Sequence, residues 1–422
     1  MLDVEAALAD VEARLGIIPQ ASAAPIKAAA RAESYDLAIL ASIAADSGTL
    51  VIPLVRQLTE TVATLDAQAA RYVHWGATSQ DIQDTALVLQ LQKAVPVIAR
   101  HLRRASRAAA SHARHHINTT MPGRTWLQQA TPITFGLKAA GWLDALDRDT
   151  AALDAALEAV RVVQFGGASG TLAALGDRGP EVADELARQL ELRVPDLPWH
   201  AHRDRLARLA CMLGVACGTC GKIGRDLALL AQTEVAEAFE TRATGGGSST
   251  MPHKSNPVYA SMALAAAVRA PGLVATMLTA MPQEHERGVG GWQAEWTTLP
   301  ELVAVTAGAA RAIADALQGL VVNSDRMRAN LDLTRGAILA ESVAMALAPH
   351  LGRRDAHNRL EQASKRALRT GTTLAEVLNA DAEITRFLTP AELQKRLSPE
   401  GYLGAARTFV ERVLARSPRI DE

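Results

Sequence analysis

Alanine, leucine, arginine and glutamate recur at helical spacing through almost the whole chain, while runs that alternate Val, Ile, Thr or aromatic residues with polar ones are nearly absent. A 3.6-residue period gathers apolar side chains on one helix face, and these residue types carry high helix propensity, so the sequence calls for an all-α fold. Five segments read as long helices, at about 82–117, 132–163, 202–240, 257–281 and 292–320, each ending where glycine or proline clusters. Helices of this length expose too much apolar surface to stand alone. Their alanine-rich faces allow close approach, which predicts an extended bundle, and the leftover apolar faces predict association with further copies of the chain. The expected division is an N-terminal helical domain over 1–81, a central long-helix bundle over 82–335 and a C-terminal helical domain over 336–422.

Several function classes are excluded early. Lys and Arg number 44 against 45 Asp and Glu, a formal charge of −1, so no global field draws the chain to nucleic acid or to an anionic membrane, and any anion site must be local. Cys211, Cys217 and Cys220 lie in one short segment rather than in an even, spread-out set, which suits a reducing cytoplasm. The opening MLDVEAALADVEARLG is acidic where a signal peptide is basic, and no uncharged run reaches the roughly 18 apolar residues that span a bilayer. A cytoplasmic protein is expected.

Chemistry concentrates in the breaks between helices: HWGATSQD (74–81), MPGRTWLQQATP (121–132), QFGGASG (164–170), GGGSSTMPHKSNP (245–257) and QEHERGVGGWQAEW (283–296). Loops at helix ends offer unpaired N–H groups and a positive dipole end, which suit anionic ligands. In the fourth, Gly245–Gly247 let the backbone move while Pro252 and Pro257 fix φ, so Ser248 and Ser249 sit on a hinge beside Lys254 and Asn256. Closure of such a loop would expel water and bring cationic and N–H groups to a serine oxygen, making its alkoxide accessible as a base toward an acidic C–H.

GGSSTMPHKSNP resembles the signature of the fumarase/aspartase superfamily. The likeness extends through YVHWGATSQD (72–81), GRTWLQQATP (123–132), VVQFGGASGTLAALG (162–176), PWHAHRDRL (198–206), QTEVAE (232–237), MPQEHERG (281–288) and NLDLTRG (330–336). It implies a fold of three helical regions whose central five-helix unit assembles as a homotetramer, each active site being built by three subunits. It also implies a small di- or tricarboxylate substrate, no cofactor and no metal. Carried over by motif, Ser248 is the base with Ser249 beside it, and Lys254 and Asn256 bind substrate carboxylate. His74, Thr78, Ser79, Thr125, Trp126, Gln128, Gln232 and His285 line the pocket, with Arg287 and Arg335 as anion partners. The opening MLDVEAALA is similar to a helix that other members reach after an additional N-terminal segment, so the N-terminal domain is expected to lack that leading segment.

Position 126 selects the reaction. Carbon–nitrogen lyases of the superfamily carry histidine in the fourth place of GRT-x-LQ, and this chain carries Trp126. An amine leaving group needs a proton, worth about 10²–10⁴ in rate, and an indole N–H is not a usable acid at neutral pH. A carboxylate group, whose conjugate acid has a pKa near 4, needs no such help. The flanking motifs are most similar to the superfamily's cycloisomerases of aromatic catabolism, in which a substrate carboxylate adds to a double bond to close a lactone. Two alternatives stay open: a lyase acting on a succinate-type substrate (nitrosuccinate, adenylosuccinate or argininosuccinate), and a non-catalytic tetrameric scaffold.

Other features have plainer readings. Arg100, Arg103, Arg104 and Arg107 form a basic helical stripe, expected to be a solvated or inter-subunit face. His112, His115 and His116 share a face but lack a nearby carboxylate or cysteine that would complete a metal site. Cys217 and Cys220 form a CxxC without a second pair, so buried small side chains are expected. The run before Lys222 has Ala216 and Ile223 where a phosphate loop needs glycine and Ser or Thr, and GGASG follows a helix rather than a strand, against a dinucleotide site. His200 and His202 are expected as caps or surface contacts, while His253 and His285 lie in the site loops.

Overall fold

In the computed structural model, residues 1–241, 251 and 254–416 are described. Five helices of 22 to 37 residues dominate: α1 (Ser79–His115), α2 (Phe135–Val160), α3 (Asp204–Leu230), α4 (Val258–Thr279) and α5 (Gly291–Gln318). The expected all-α class holds, with helix ends within three residues of expectation except at the C-terminus of α3. That helix stops at Leu230 rather than running to 240, because Gln232–Glu237 turns, with Ala236 at φ +53°, into a short extended segment.

Two compact units emerge. The first comprises Met1–Ala99, Ala151–Val215 and Arg269–Thr306, the second Arg100–Thr150, Ala216–Val268 and Ala307–Glu422, and every long helix contributes turns to both. In the first unit, helices Leu2–Arg14, Ala23–Ala29, Leu37–Ser47 and Val51–Leu65 enclose a cluster built on Ile26, Leu40, Leu58 and Val62. Asp36 starts the third of these by accepting the N–H of Ala38 at 2.8 Å, and Gly48, at φ +68°, ends it in the left-handed conformation. In the second unit, helices Ala340–Leu351, Arg353–Thr370, Leu374–Asn379 and Pro390–Arg396 close around Val343, Leu347, Leu360, Leu378 and Leu393. Capping boxes at Thr373/Glu376 and Thr389/Glu392 set the starts of the last two.

The GRTWLQQATP segment, expected as a loop, is a β-hairpin: β1 (Thr120–Thr125) pairs antiparallel with β2 (Gln128–Thr134). Its register shifts between Pro122 and Arg124, and at Gly123 a Cβ would stand 2.6 Å from the Thr131 carbonyl oxygen, so only glycine fits. A second antiparallel pair joins β3 (Ala238–Glu240) to β4 (Leu320–Val322).

By length and composition α3 and α4 could cross a membrane, whereas no uncharged run of that length was expected; α3 is mostly buried within the protein, and α4 carries Arg269 bonded to Glu301. Cys217 and Cys220 are fully buried free thiols, as expected, and burial pushes the Cys217 thiol up to about 11.

Candidate active site

Asp81 is the organising residue of the first unit. Thr78 caps α1, and its N–H donates to Asp81 Oδ2 at 3.0 Å from the third helical position. The same buried carboxylate accepts the N–H groups of Gly166 (3.0 Å) and Gly167 (2.9 Å) and stands 2.7 Å from His200 Nε2. Three segments far apart in sequence, GATSQD, QFGGASG and PWHAH, are thereby tied to one side chain. At Gly166 a Cβ would lie 2.8 Å from His200 Cε1, so the approach of these segments requires glycine. Arg287, from the QEHERG segment, joins them by donating from Nη1 to Thr78 Oγ1 at 3.0 Å and from Nη2 to the Ala168 carbonyl at 2.9 Å. Its Nε is buried with no partner among the described residues.

Of the expected pocket residues in this unit, Thr78 and Arg287 are thus in direct contact, and Ser79 opens α1 beside them. His74 turns its Nδ1 to Glu5 Oε1 at 2.7 Å, and His285 is exposed. His200 corrects expectation: it is 3% exposed, neither a cap nor a surface contact, because the Asp81 carboxylate draws it inward. His202 is exposed.

Behind this cluster lies a buried charge network. Arg203 donates from Nη1 to Asp84 Oδ2 at 2.6 Å and from Nη2 to Glu295 Oε2 at 2.5 Å, while Trp292 Nε1 donates to Asp84 Oδ1 at 3.1 Å. Burial acts to lower the Arg203 pKa, and its two carboxylates outweigh that and raise it. Glu295 is also raised rather than lowered, since burial, helped by Asp84, exceeds the pull of Arg203: one cation between two carboxylates leaves an excess negative charge.

In the second unit the hairpin is anchored close to its turn. Arg124 forms a bidentate pair with the buried Glu237 at 2.8 and 2.6 Å, Asn330 Nδ2 donates to Glu237 Oε1 at 2.7 Å, and Gln129 Nε2 donates to the Asn330 carbonyl at 2.9 Å. The tip is free: Trp126 is 98% exposed and Leu127 74%. Thr125, Gln128, Gln232, Lys254 and Arg335 are exposed and Asn256 half-buried, and Arg335 Nη1 donates to the Gly371 carbonyl at 2.7 Å. The Glu240 carboxylate accepts the N–H groups of Tyr259 (3.0 Å) and Ala260 (2.7 Å), which fixes the start of α4 just after the serine segment. Ser248, Ser249 and His253 lie outside the described residues.

Backbone strain marks the same residues. Eight non-glycine residues among those described have positive φ, and His74, Trp126, His285 and Arg335 are four of them. Each such position costs about 1–3 kcal/mol and persists where the surrounding structure fixes it. Trp126 and Leu127, at φ +52° and +61°, hold a two-residue hairpin turn that usually takes Asn-Gly.

His112 Nε2 contacts the Leu317 carbonyl at 2.9 Å, His115 Nδ1 that of Ser111 at 2.8 Å, and His116 Nδ1 the Thr119 hydroxyl at 3.1 Å. Among the described residues no group of three or more His, Cys, Asp or Glu could hold a metal ion. Arg100, Arg103 and Arg107 are exposed, whereas Arg104 turns to Asp315 at 2.8 Å, and Lys222 sits within α3 bonded to Asp226.

Residues 1–272 match the family described as "Lyase", and residues 336–413 match "Adenylosuccinate lyase C-terminus". The 3-carboxy-cis,cis-muconate cycloisomerase of Bradyrhizobium diazoefficiens is 52% identical over 98% of this chain and 92% of its own length. The nitrosuccinate lyase of Streptomyces davaonensis is 44% identical over 99% of this chain and 90% of that protein. Among solved structures, the 3-carboxy-cis,cis-muconate lactonizing enzyme from Pseudomonas putida superposes with a TM-score of 0.92 at 47% identity, covering 98% of this chain and 92% of that one. With family matches and full-length relatives of this closeness, the chain belongs to the lyase family of the fumarase/aspartase superfamily.

Proposed function

We propose that the chain is a cycloisomerase interconverting 3-carboxy-cis,cis-muconate and 4-carboxymuconolactone. The observation that carries this reading is the full-length identity, 52% and 51%, to two bacterial enzymes of that name. In the reaction a substrate carboxylate oxygen adds to the double bond, an enediolate builds on the acetate arm, and Ser248 delivers a proton to the adjacent carbon. Lys254, Asn256 and loop N–H groups hold the oxyanion. Arg287, Thr78 and His74 receive carboxylates, which the unpartnered Nε of Arg287 and the strained backbone of His74 support. Trp126 faces the carbon–oxygen bond and supplies no proton, since the departing carboxylate needs none.

The same reading includes assembly and setting. Exposed apolar residues on α4, Met262 (59%) and Val268 (78%), together with the exposed tip at Trp126, support a homotetramer in which one subunit's hairpin completes another's site. The division at 81 and 335 belongs to it as well, supported by the separate apolar clusters near each end of the chain. We place the enzyme in the cytoplasm, in protocatechuate breakdown by the β-ketoadipate pathway, acting without a cofactor.

Nitrosuccinate elimination is the second reading, favoured by the 44% identity to the Streptomyces davaonensis enzyme. Nitrite is as weakly basic as a carboxylate and would equally dispense with a histidine at 126. Supplying 3-carboxy-cis,cis-muconate, nitrosuccinate and adenylosuccinate separately and following absorbance distinguishes them. Loss of the muconate diene absorbance is expected; consumption of nitrosuccinate alone overturns the proposal, and adenylosuccinate turnover overturns the role given to Trp126. Ser248→Ala should retain the fold and lose most of the rate, whereas a scaffold would have no turnover to lose.

A further inference from the structure

We propose that Glu5 is a positioning residue for the reaction, holding the Nδ1 edge of His74 so that Nε2 is presented, as part of an imidazolium, to a substrate carboxylate. Glu5 lies on helix Leu2–Arg14, outside every motif that marks the site, and its Oε1 stands 2.7 Å from His74 Nδ1. The carboxylate is 1% exposed and the imidazole 18%, so the pair has a buried end and an accessible end, the order expected if Glu5 acts through His74. A carboxylate at Nδ1 requires a proton there and fixes the ring orientation, and no described residue bonds Nε2. The backbone of His74 at φ +58° is strained to reach this position.

The charges favour the cation. Burial alone lowers the His74 pKa, but the hydrogen bond and charge of Glu5, with the charge of Asp81, outweigh it and raise the pKa above its ordinary value. Glu12, two turns further along the helix of Glu5, is fully buried and itself raised to about 9, so at neutral pH it is a neutral acid. The second oxygen of Glu5 has no partner among the described residues, and the positive groups that face this side chain are the His74 imidazole at 2.7 Å and the N-terminal ammonium of Met1, which burial holds below its ordinary pKa.

This inference rests on the reading of His74 as a pocket residue, and its test does not need turnover. Succinate, a non-reacting dicarboxylate, is titrated calorimetrically into wild type, Glu5→Gln, His74→Asn and the double variant at pH 7 and pH 5. The glutamine keeps an acceptor for Nδ1–H and removes the charge. Glu5→Gln should weaken succinate about tenfold at pH 7, the worth of one charge-assisted hydrogen bond. The ratio to wild type should shrink at pH 5, where a larger share of His74 is protonated without the charge of Glu5, and the substitution should add nothing in the His74→Asn background. Wild-type binding by Glu5→Gln at pH 7, an equal loss at both pH values, an equal loss in the His74→Asn background, or no succinate binding by wild type would each overturn the proposal. Should Glu5→Gln fail to fold, His74→Asn alone must show the loss at pH 7 and a flattened pH dependence. A chain that binds succinate in this pattern but leaves muconate untouched keeps the dyad and loses the cycloisomerase reading.

Discussion

Asp81 illustrates what one carboxylate at a helix start can do: it caps its own helix and gathers the loops at 166–167 and the histidine at 200. Half of this is local, since a T-x-x-D run at a helix start is a capping arrangement, although Thr78 was expected only as a pocket residue. The other half is not, because nothing local to Asp81 names partners more than 80 residues away. Buried carboxylates also carry a stability cost that depends on pH. Glu12 rises from an ordinary 4.5 to about 9 in the folded protein, burial first and the charge of Glu5 second. Between these values the unfolded chain releases the proton and the folded one keeps it, so stability falls by about 1.4 kcal/mol per pH unit as pH rises through that window. Glu12→Gln removes the titration. Its melting temperature should exceed wild type at pH 8 and the gap should close toward pH 5; a gap independent of pH would contradict this.

At the scale of elements, Arg203 ties the start of α3 to Asp84 on α1 and Glu295 on α5. Arg203→Met strands two buried carboxylates and should cost about 3–5 kcal/mol in denaturant unfolding; a change under about 1 kcal/mol would mean that the network relaxes without it. The hairpin predicts the reverse pattern. Trp126 at 98% exposure holds nothing within its own chain, so Trp126→Ala should shift stability by no more than about 0.5 kcal/mol. Its kcat/KM should nevertheless fall at least tenfold, and unchanged kinetics would remove Trp126 from the site. The helices were legible because a long apolar period speaks for itself, whereas Pro122, Gly123 and the stretch on to Gln129 carry no strand alternation. That hairpin exists because Arg124 and Gln129 are held by Glu237 and Asn330, which no window around residue 125 contains.

For the whole molecule, the proposed homotetramer predicts how a charge on an exposed apolar face acts. Val268, 78% exposed on an apolar helix, is a position where charge should be harmless in a lone chain and disruptive at an interface. If the proposed tetramer forms, wild type should have a solution mass of four times 44.7 kDa, and Val268→Glu should lower it toward that of smaller species and abolish turnover together; an active monomer would overturn the shared-site reading. By itself the sequence determined the helical class, the five long helices and the breaks between them, because helical periodicity, glycine and proline act over a few residues. Only the tertiary structure decided that His200 is buried, that the GRTWLQ segment is a hairpin, and that His74 is held by Glu5. The reason is physical: a side chain's burial, charge and orientation depend on partners brought near by the fold, and their distance along the chain leaves no local trace.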